Sequence, residues 1–199
     1  EGQEWTNRAD YISEDASIVA IAARAWGLNV GMVAGSLGDD IRGHNLLREL
    51  REIGIEGEFR IDKSIRTPYE IVISDKRGGR TFIWDRRPEV LKTLATADVS
   101  IVRNCKHLYA DWYDWPSNKR SLTEARSLGV PVLINMEDKY LDRELSETLY
   151  PFADSIQISL GNLSGDPNLG FIDKAFHMGV SSILLTGASS GSRYVSQSE

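Results

Sequence analysis

Apolar and polar positions along this chain follow two different periods, and the change of period divides it. The segments ARAWGLNVGMVAG (23–35), ARSLGVPVLINMED (125–138) and AFHMGVSSILLTG (175–187) repeat one grammar. Each closes a helical pattern, sets Gly four residues after an Ala, and then becomes apolar on nearly consecutive positions. Glycine suits a helix C-terminus because a left-handed backbone costs little without Cβ. A strand that is apolar on consecutive positions is one covered on both faces. Helix, turn and buried strand in series therefore predict an α/β sandwich around a mostly parallel sheet.

Within that frame, Ser13 is placed to cap a helix running through Trp26, with Glu14 and Asp15 in its first turn. Leu46, Leu47, Leu50 and Ile53 form the apolar stripe of a second helix, which Gly54 ends. ADVSIVRNC (97–105) reads as a core strand, SNKRSLTEARSLG as a helix with Leu122, Ala125 and Leu128 inward, and YPFADSIQISL as ending in a short strand. Residues 58–85 carry no helical period. They predict strands joined by a DKRGG turn, with Ile71/Ile73 and Phe82/Trp84 on one face, either a flap over a pocket or an extension of the sheet. The expected organisation is one α/β domain over 1–199, with 58–85 inserted as a lid-like β segment.

Composition narrows the partners. A chain of 199 residues, 41% hydrophobic and 26% charged, can bury a real core. Its formal charge of −6 and the lack of Lys/Arg runs argue against nucleic acid. No apolar run reaches bilayer length and no basic-then-apolar leader opens the chain, so a cytoplasmic location without membrane contact is expected. Cys105 is the only cysteine, which excludes an intrachain disulfide; its apolar setting predicts an inert buried thiol. His44, His107 and His177 have no zinc-binding spacing, and no metal site is expected from side chains.

Ligands of open α/β sheets collect at the carboxyl ends of the strands. The candidates there are Gly38, Asp39 and Asp40 in SLGDDIRG, then Asn104, then Asn135, Glu137 and Asp138 in NMED, Ser159 and Asn162, and the turn from Thr186 to Gly191. An Asp at a strand-to-helix junction can cap the helix or meet a polar ligand, and spacing leaves both open. TGASSGS has the small residues of an anion-binding turn but no following lysine, so it is not a GxxxxGK[ST] loop. Trp112 and Trp115, with Asp111 and Asp114 between and beside them, could border a pocket or an interface.

GLNVGMVAGSLGDDIRGHNLLRELREIGIEG (27–57) resembles the early module of the ribokinase-like (PfkB-type) carbohydrate kinases, with a GDDxxG turn between a core strand and the next helix. Thr67-Pro68 and RGGRTFIW are similar to that family's lid segment, and ADVSIV, GVPVLINMED, FADSIQISL and GVSSILLTGASSG continue in the family's order. The resemblance implies a three-layer ribokinase-like fold and transfer of the ATP γ-phosphoryl group to a sugar or nucleoside hydroxyl, with Mg²⁺ bridging the phosphates. It implies substrate contacts at Gly38, Asp39, Asp40, Gly43, Thr67 and Asn104. Nucleotide contacts would fall at Asn135, Glu137, Asn162, Thr186 and Gly191. Residues 58–85, with their alternating aromatic face, would serve either as a lid or as a homodimer contact.

Several positions depart from the family pattern. No GAGD-type motif, whose aspartate deprotonates the acceptor, occurs in the 199 residues; the catalytic base is expected beyond residue 199. The family's early glycine pair and asparagine fall near Ser13, Glu14 and Ile18, and its NxxE pattern falls on Ser159 and Asn162. The first strand is absent or altered in EGQEWTNRADYI. Two explanations follow: an incomplete kinase, inactive on its own, or a diverged relative that binds sugar or nucleotide, or scaffolds a complex, without catalysis. A nucleotide-dependent enzyme of another doubly wound family is the third class, and the lack of GxGxxG counts against it.

Overall fold

A computed structural model describes residues 9–86, 88–160 and 170–197. Its centre is a five-stranded sheet ordered β5 (Leu108–Asp111), β6 (Val132–Glu137), β7 (Ser155–Ser159), β8 (Ser182–Thr186), β9 (Ser192–Ser196). The first four strands are parallel, and β9 returns antiparallel to β8. Earlier in the chain come α1 (Asp15–Ala25), β1 (Leu37–Gly38), α2 (Ile41–Ile53), β2 (Ile61–Asp62), the hairpin of β3 (Tyr69–Ser74) and β4 (Arg80–Asp85), and α3 (Pro88–Leu94). The later helices α4 (Lys119–Leu128), α5 (Arg143–Leu149) and α6 (Gly170–His177) precede β6, β7 and β8.

The repeated Ala-to-Gly grammar has one structural meaning. Gly27, Gly129 and Gly179 all take positive φ. The residue after each donates its N–H to the carbonyl of the alanine five back: Leu28 to Ala23, Val130 to Ala125 and Val180 to Ala175, at 2.9–3.1 Å. This is the bond that closes a helix end and satisfies an orphan carbonyl. In the second and third units the chain then enters β6 and β8. Their apolar side chains, with Ile156 and Ile158 of β7, are almost wholly buried against Leu122 and Ala125 of α4, Leu149 of α5 and Ile172 and Ala175 of α6. A smaller core joins α1 to α2 through Ala20, Leu50 and Ile55.

Four expectations need correction. Residues 28–35 do not form a sheet strand; Gly31 makes only an isolated bridge to Glu56, and regular pairing is confined to β1 against β2. The N–H of Ser36 goes to the Thr93 hydroxyl at 2.7 Å instead of a strand neighbour. ADVSIVRNC is a 3-10 turn at Ser100–Asn104, because the Asp98 carboxylate accepts from the N–H of Ser100 and bends the chain; Cys105 follows that turn and β5 starts only at Leu108. Leu128 is 47% exposed, unlike Leu122 and Ala125. In the hairpin, Ile71 pairs with Ile83 and Val72 with Phe82, so Ile71/Ile73 and Phe82/Trp84 lie on opposite faces.

Candidate functional site

The carboxyl ends of β5 and β6, with the first turn of α1, gather the densest group of ionisable side chains. Asp111 ends β5 and is 1% exposed. Its Oδ1 accepts from the Tyr109 hydroxyl at 2.9 Å and from Asn135 Nδ2 at 3.2 Å, whereas its buried Oδ2 has no partner. The Asn135 amide also donates to Asp15 Oδ2 at 3.2 Å, linking β6 to α1 across 120 residues of sequence. Glu137, at a β-bulge closing β6, accepts from Trp112 Nε1 at 2.8 Å. Asn118 Nδ2 donates to the Asp111 carbonyl at 3.0 Å and so fixes the strand end that carries the carboxylate.

The outer side of the group is tied to the hairpin. Glu14 accepts from Arg86, just past β4, at 2.6 Å and from the Tyr113 hydroxyl at 2.7 Å. Ser13 donates to Glu70 of β3 and does not cap α1; Glu14 occupies the cap position, with no side-chain cap bond. Glu14 has φ 81° and Glu137 φ 46°, conformations in which L-residues are strained. Glu14 falls where the resemblance places a glycine, and its backbone takes the glycine-like conformation.

Charge is crowded here and mostly uncompensated. Burial pushes Asp111 up to about 6, opposed by its Tyr109 and Asn135 bonds and assisted by Asp15 and Glu137. Burial, then the Asp111 and Glu14 carboxylates, push Asp114 up to about 7. Burial and the hydrogen-bonded Glu137 carboxyl raise Asp15 as well. Tyr109 and Tyr113 are raised by burial and by the acids they touch, so both stay protonated as donors. Such a site favours ligands that bring hydrogen-bond donors to carboxylates.

The GDD turn has a different character. Asp40 Oδ1 accepts from the N–H of Gly43 at 2.8 Å, capping α2, and Oδ2 accepts from the N–H of Thr67 at 2.9 Å. Burial would raise Asp40, but these backbone bonds outweigh it and hold its carboxyl below the usual range. The Thr67 hydroxyl accepts from the N–H of Gly38 at 3.0 Å. A Cβ on Gly43 would stand 2.2 Å from the Gly38 carbonyl oxygen, so the glycine permits close backbone approach. Asp39 bonds His44 at 2.8 Å on the surface. Gly38, Asp40, Gly43 and Thr67 therefore come together as a structural knot in which both Asp40 oxygens are engaged.

Asn104 lies in the 3-10 turn before β5, away from any strand's carboxyl end, which corrects its expected position. Thr186 ends β8, with its hydroxyl 3.4 Å from Ser159 Oγ, and Gly191 closes the following turn at φ 84°. In that turn the N–H groups of Gly187, Ser190 and Gly191 bond to turn carbonyls. Asn162 lies outside the described residues. No group of three metal-ligating side chains occurs among the described residues. Cys105 is half-buried rather than buried, and desolvation raises its thiol. Trp112 borders the acidic group, whereas Trp115 packs on Phe152 toward the core.

Sequence reading singled out Asn135, Glu137, Asp111 and Trp112, but not Asp15, Tyr109 and Tyr113 as members of one site. Their signal was positional: each stands at or beside a strand end or helix start that only the sheet order makes adjacent. Two surface depressions of about 240 and 460 Å³ lie elsewhere, beside α6 and between α1 and α2.

Helices around a mostly parallel five-stranded sheet make this a ribokinase-like α/β fold. Among solved structures, the chain is similar to a PfkB protein from Polaromonas sp. JS666, at 18% identity and TM-score 0.77 over 92% of this chain and 69% of that one. It is similar to a putative ribokinase II from E. coli in complex with ATP and Mg²⁺, at 18% identity and TM-score 0.78 over 100% and 70%. It is also similar to a fructokinase from Xylella fastidiosa, at 19% identity and TM-score 0.74 over 91% and 62%. No family model matches the sequence, and no curated protein does. Among the described residues no helix is long and apolar enough to cross a membrane.

Proposed function

We propose that this fold serves ATP-dependent phosphorylation of a sugar or sugar-like hydroxyl, with the acceptor held at the ends of β5 and β6 beneath the hairpin. The observation that carries the reading is the convergence of Asp111, Asn135 and Glu137, at the carboxyl ends of β5 and β6, with Asp15 at the start of α1. A buried carboxylate and two half-buried ones, two of them joined by an amide, suit a ligand with several hydroxyl donors. Arg86 and the base of the hairpin, bonded to Glu14 and Ser13, would shield that ligand from water. ATP with Mg²⁺ supplies the phosphoryl group when bound, and Thr186, the N–H groups of Ala188 and Ser189, and Gly191 would receive its phosphates.

The residues here position and bind. The 199 residues contain no GAGD-type segment to accept the proton of the attacking hydroxyl. The purified chain is therefore expected to bind sugar without phosphorylating it, and ATP-dependent phosphorylation of any sugar by it would refute this. The departures from the family pattern at Ser13, Glu14, Ile18, Ser159 and Asn162 support a second reading, a sugar- or nucleotide-binding protein of this fold without catalysis. Thermal stabilisation by ATP, compared with and without Mg²⁺, reports the nucleotide site in either case. The hairpin leaves Ile71, Ile73, Ile83 and Trp84 more than 40% exposed, and we propose that it acts as a lid or as a homodimer contact. Sedimentation at rising concentration separates the two.

A further inference from the structure

We propose that the acidic group at the ends of β5 and β6 prefers an amine-bearing polyol, an amino sugar being the simplest example, over a neutral or anionic sugar. This rests on the reading of that group as a sugar site and adds the charge of its ligand. Five carboxyl groups meet there: Glu14, Asp15, Asp111, Asp114 and Glu137. Two cations stand nearby. The Arg86 guanidinium bonds Glu14. The Lys139 ammonium lies 5.4 Å from the centre of the Trp112 ring and pairs with Asp138 at 3.2 Å, outside the group. The neutral donors are likewise assigned: Tyr109 to Asp111 Oδ1, Asn135 to Asp111 Oδ1 and Asp15, Trp112 to Glu137, and Tyr113 to Glu14.

What remains is the second oxygen of Asp111, which is buried and accepts from nothing. It belongs to a carboxyl whose other oxygen already sits on the Asn135 amide shared with Asp15, so it lies within the acidic group. A buried acceptor left without a donor is costly, and a ligand that supplies the donor recovers that cost. A sugar hydroxyl brings a donor but no charge. An ammonium brings three donors and a positive charge that acts on every carboxylate within several ångströms. A phosphate or carboxylate on the ligand would meet like charge.

Calorimetric titration of the purified chain at pH 7 with three matched pairs tests this: glucosamine and glucose, galactosamine and galactose, mannosamine and mannose. At least one amino sugar is expected to bind about tenfold more tightly than its parent, the size of one charge-assisted hydrogen bond. Asp111→Asn, nearly isosteric, should erase the preference, bringing each amino sugar and its parent to equal affinity. Glu137→Gln, at the strand end, should weaken the preference and serves if the first variant does not fold. Equal affinity within every pair, or an undiminished preference in both variants, overturns the inference and leaves the sugar reading standing. Binding of none of the six sugars overturns the sugar reading itself.

Discussion

Asp111 shows how one side chain can belong to a site at the expense of the fold. Its folded-state pKa, about 6, stands above the ordinary carboxylate value of 3.8, because burial disfavours the ion. The unfolded chain ionises more readily, so the fold loses stability as pH rises from about 4 to about 6 and stays at the lower level above that. Asp114, raised to about 7, extends the loss toward neutrality. Chemical denaturation is therefore expected to give a higher midpoint at pH 5 than at pH 8. Asp111→Asn should flatten the profile and raise stability at pH 8 by on the order of 2 kcal/mol. Asp40 works the other way: its pKa is depressed and both oxygens are bonded to backbone. Asp40→Ala should lower stability by about 1–2 kcal/mol through loss of the α2 cap, with ligand binding at the acidic group unchanged. Two sequence signals of the same kind, acids at strand ends, thus differ in kind: Asp40 has both oxygens bonded to backbone, and Asp111 is buried with one oxygen unpartnered.

At the scale of elements, stability should be uneven. Strands β6, β7 and β8 carry side chains at or near full burial, whereas every residue from Ile71 to Trp84 is exposed. Hydrogen exchange should find the amides of Ile134 and Ile156 protected near the global limit and those of the hairpin released orders of magnitude faster. Equal protection would show that the hairpin is covered, as in a dimer. The elements that were legible in the sequence are those with a local cause: the Ala-to-Gly helix ends, the stripe of α2, and the apolar runs of β6 and β8. Those that misled had a competing local bond or a register that only pairing sets. Asp98 turned an apolar run into a 3-10 turn, Thr93 took the N–H of Ser36, and the two-residue pairing of β1 left the GMVAG segment without a sheet partner. The site was half legible. NMED and ADWYD announced Asn135, Glu137, Asp111 and Trp112, but Asp15 joins them only because the sheet and α1 bring residues 120 positions apart within 3.2 Å.

At the scale of the whole molecule, the ribokinase-like sheet sets the C-terminal strand ends, the hairpin and the 187–191 turn around one edge. The proposed ligand chemistry belongs to the acidic group, and the GDD turn is a backbone-bonded knot. The indole N–H of Trp112, bonded to Glu137 at 2.8 Å, is a built-in reporter of that group. The most direct measurement is a ¹H–¹⁵N correlation spectrum of the labelled chain, recorded as the three amino sugars and their parents are added. Binding at the strand ends predicts shifts of the Trp112 indole signal, the Asn135 side-chain amide and the backbone of Asp15 and Glu137, with the Gly38–Gly43 signals nearly still. Shifts confined to Gly38, Asp39, Gly43 and Thr67, with the Trp112 indole unmoved, would contradict it and return the ligand to the GDD turn.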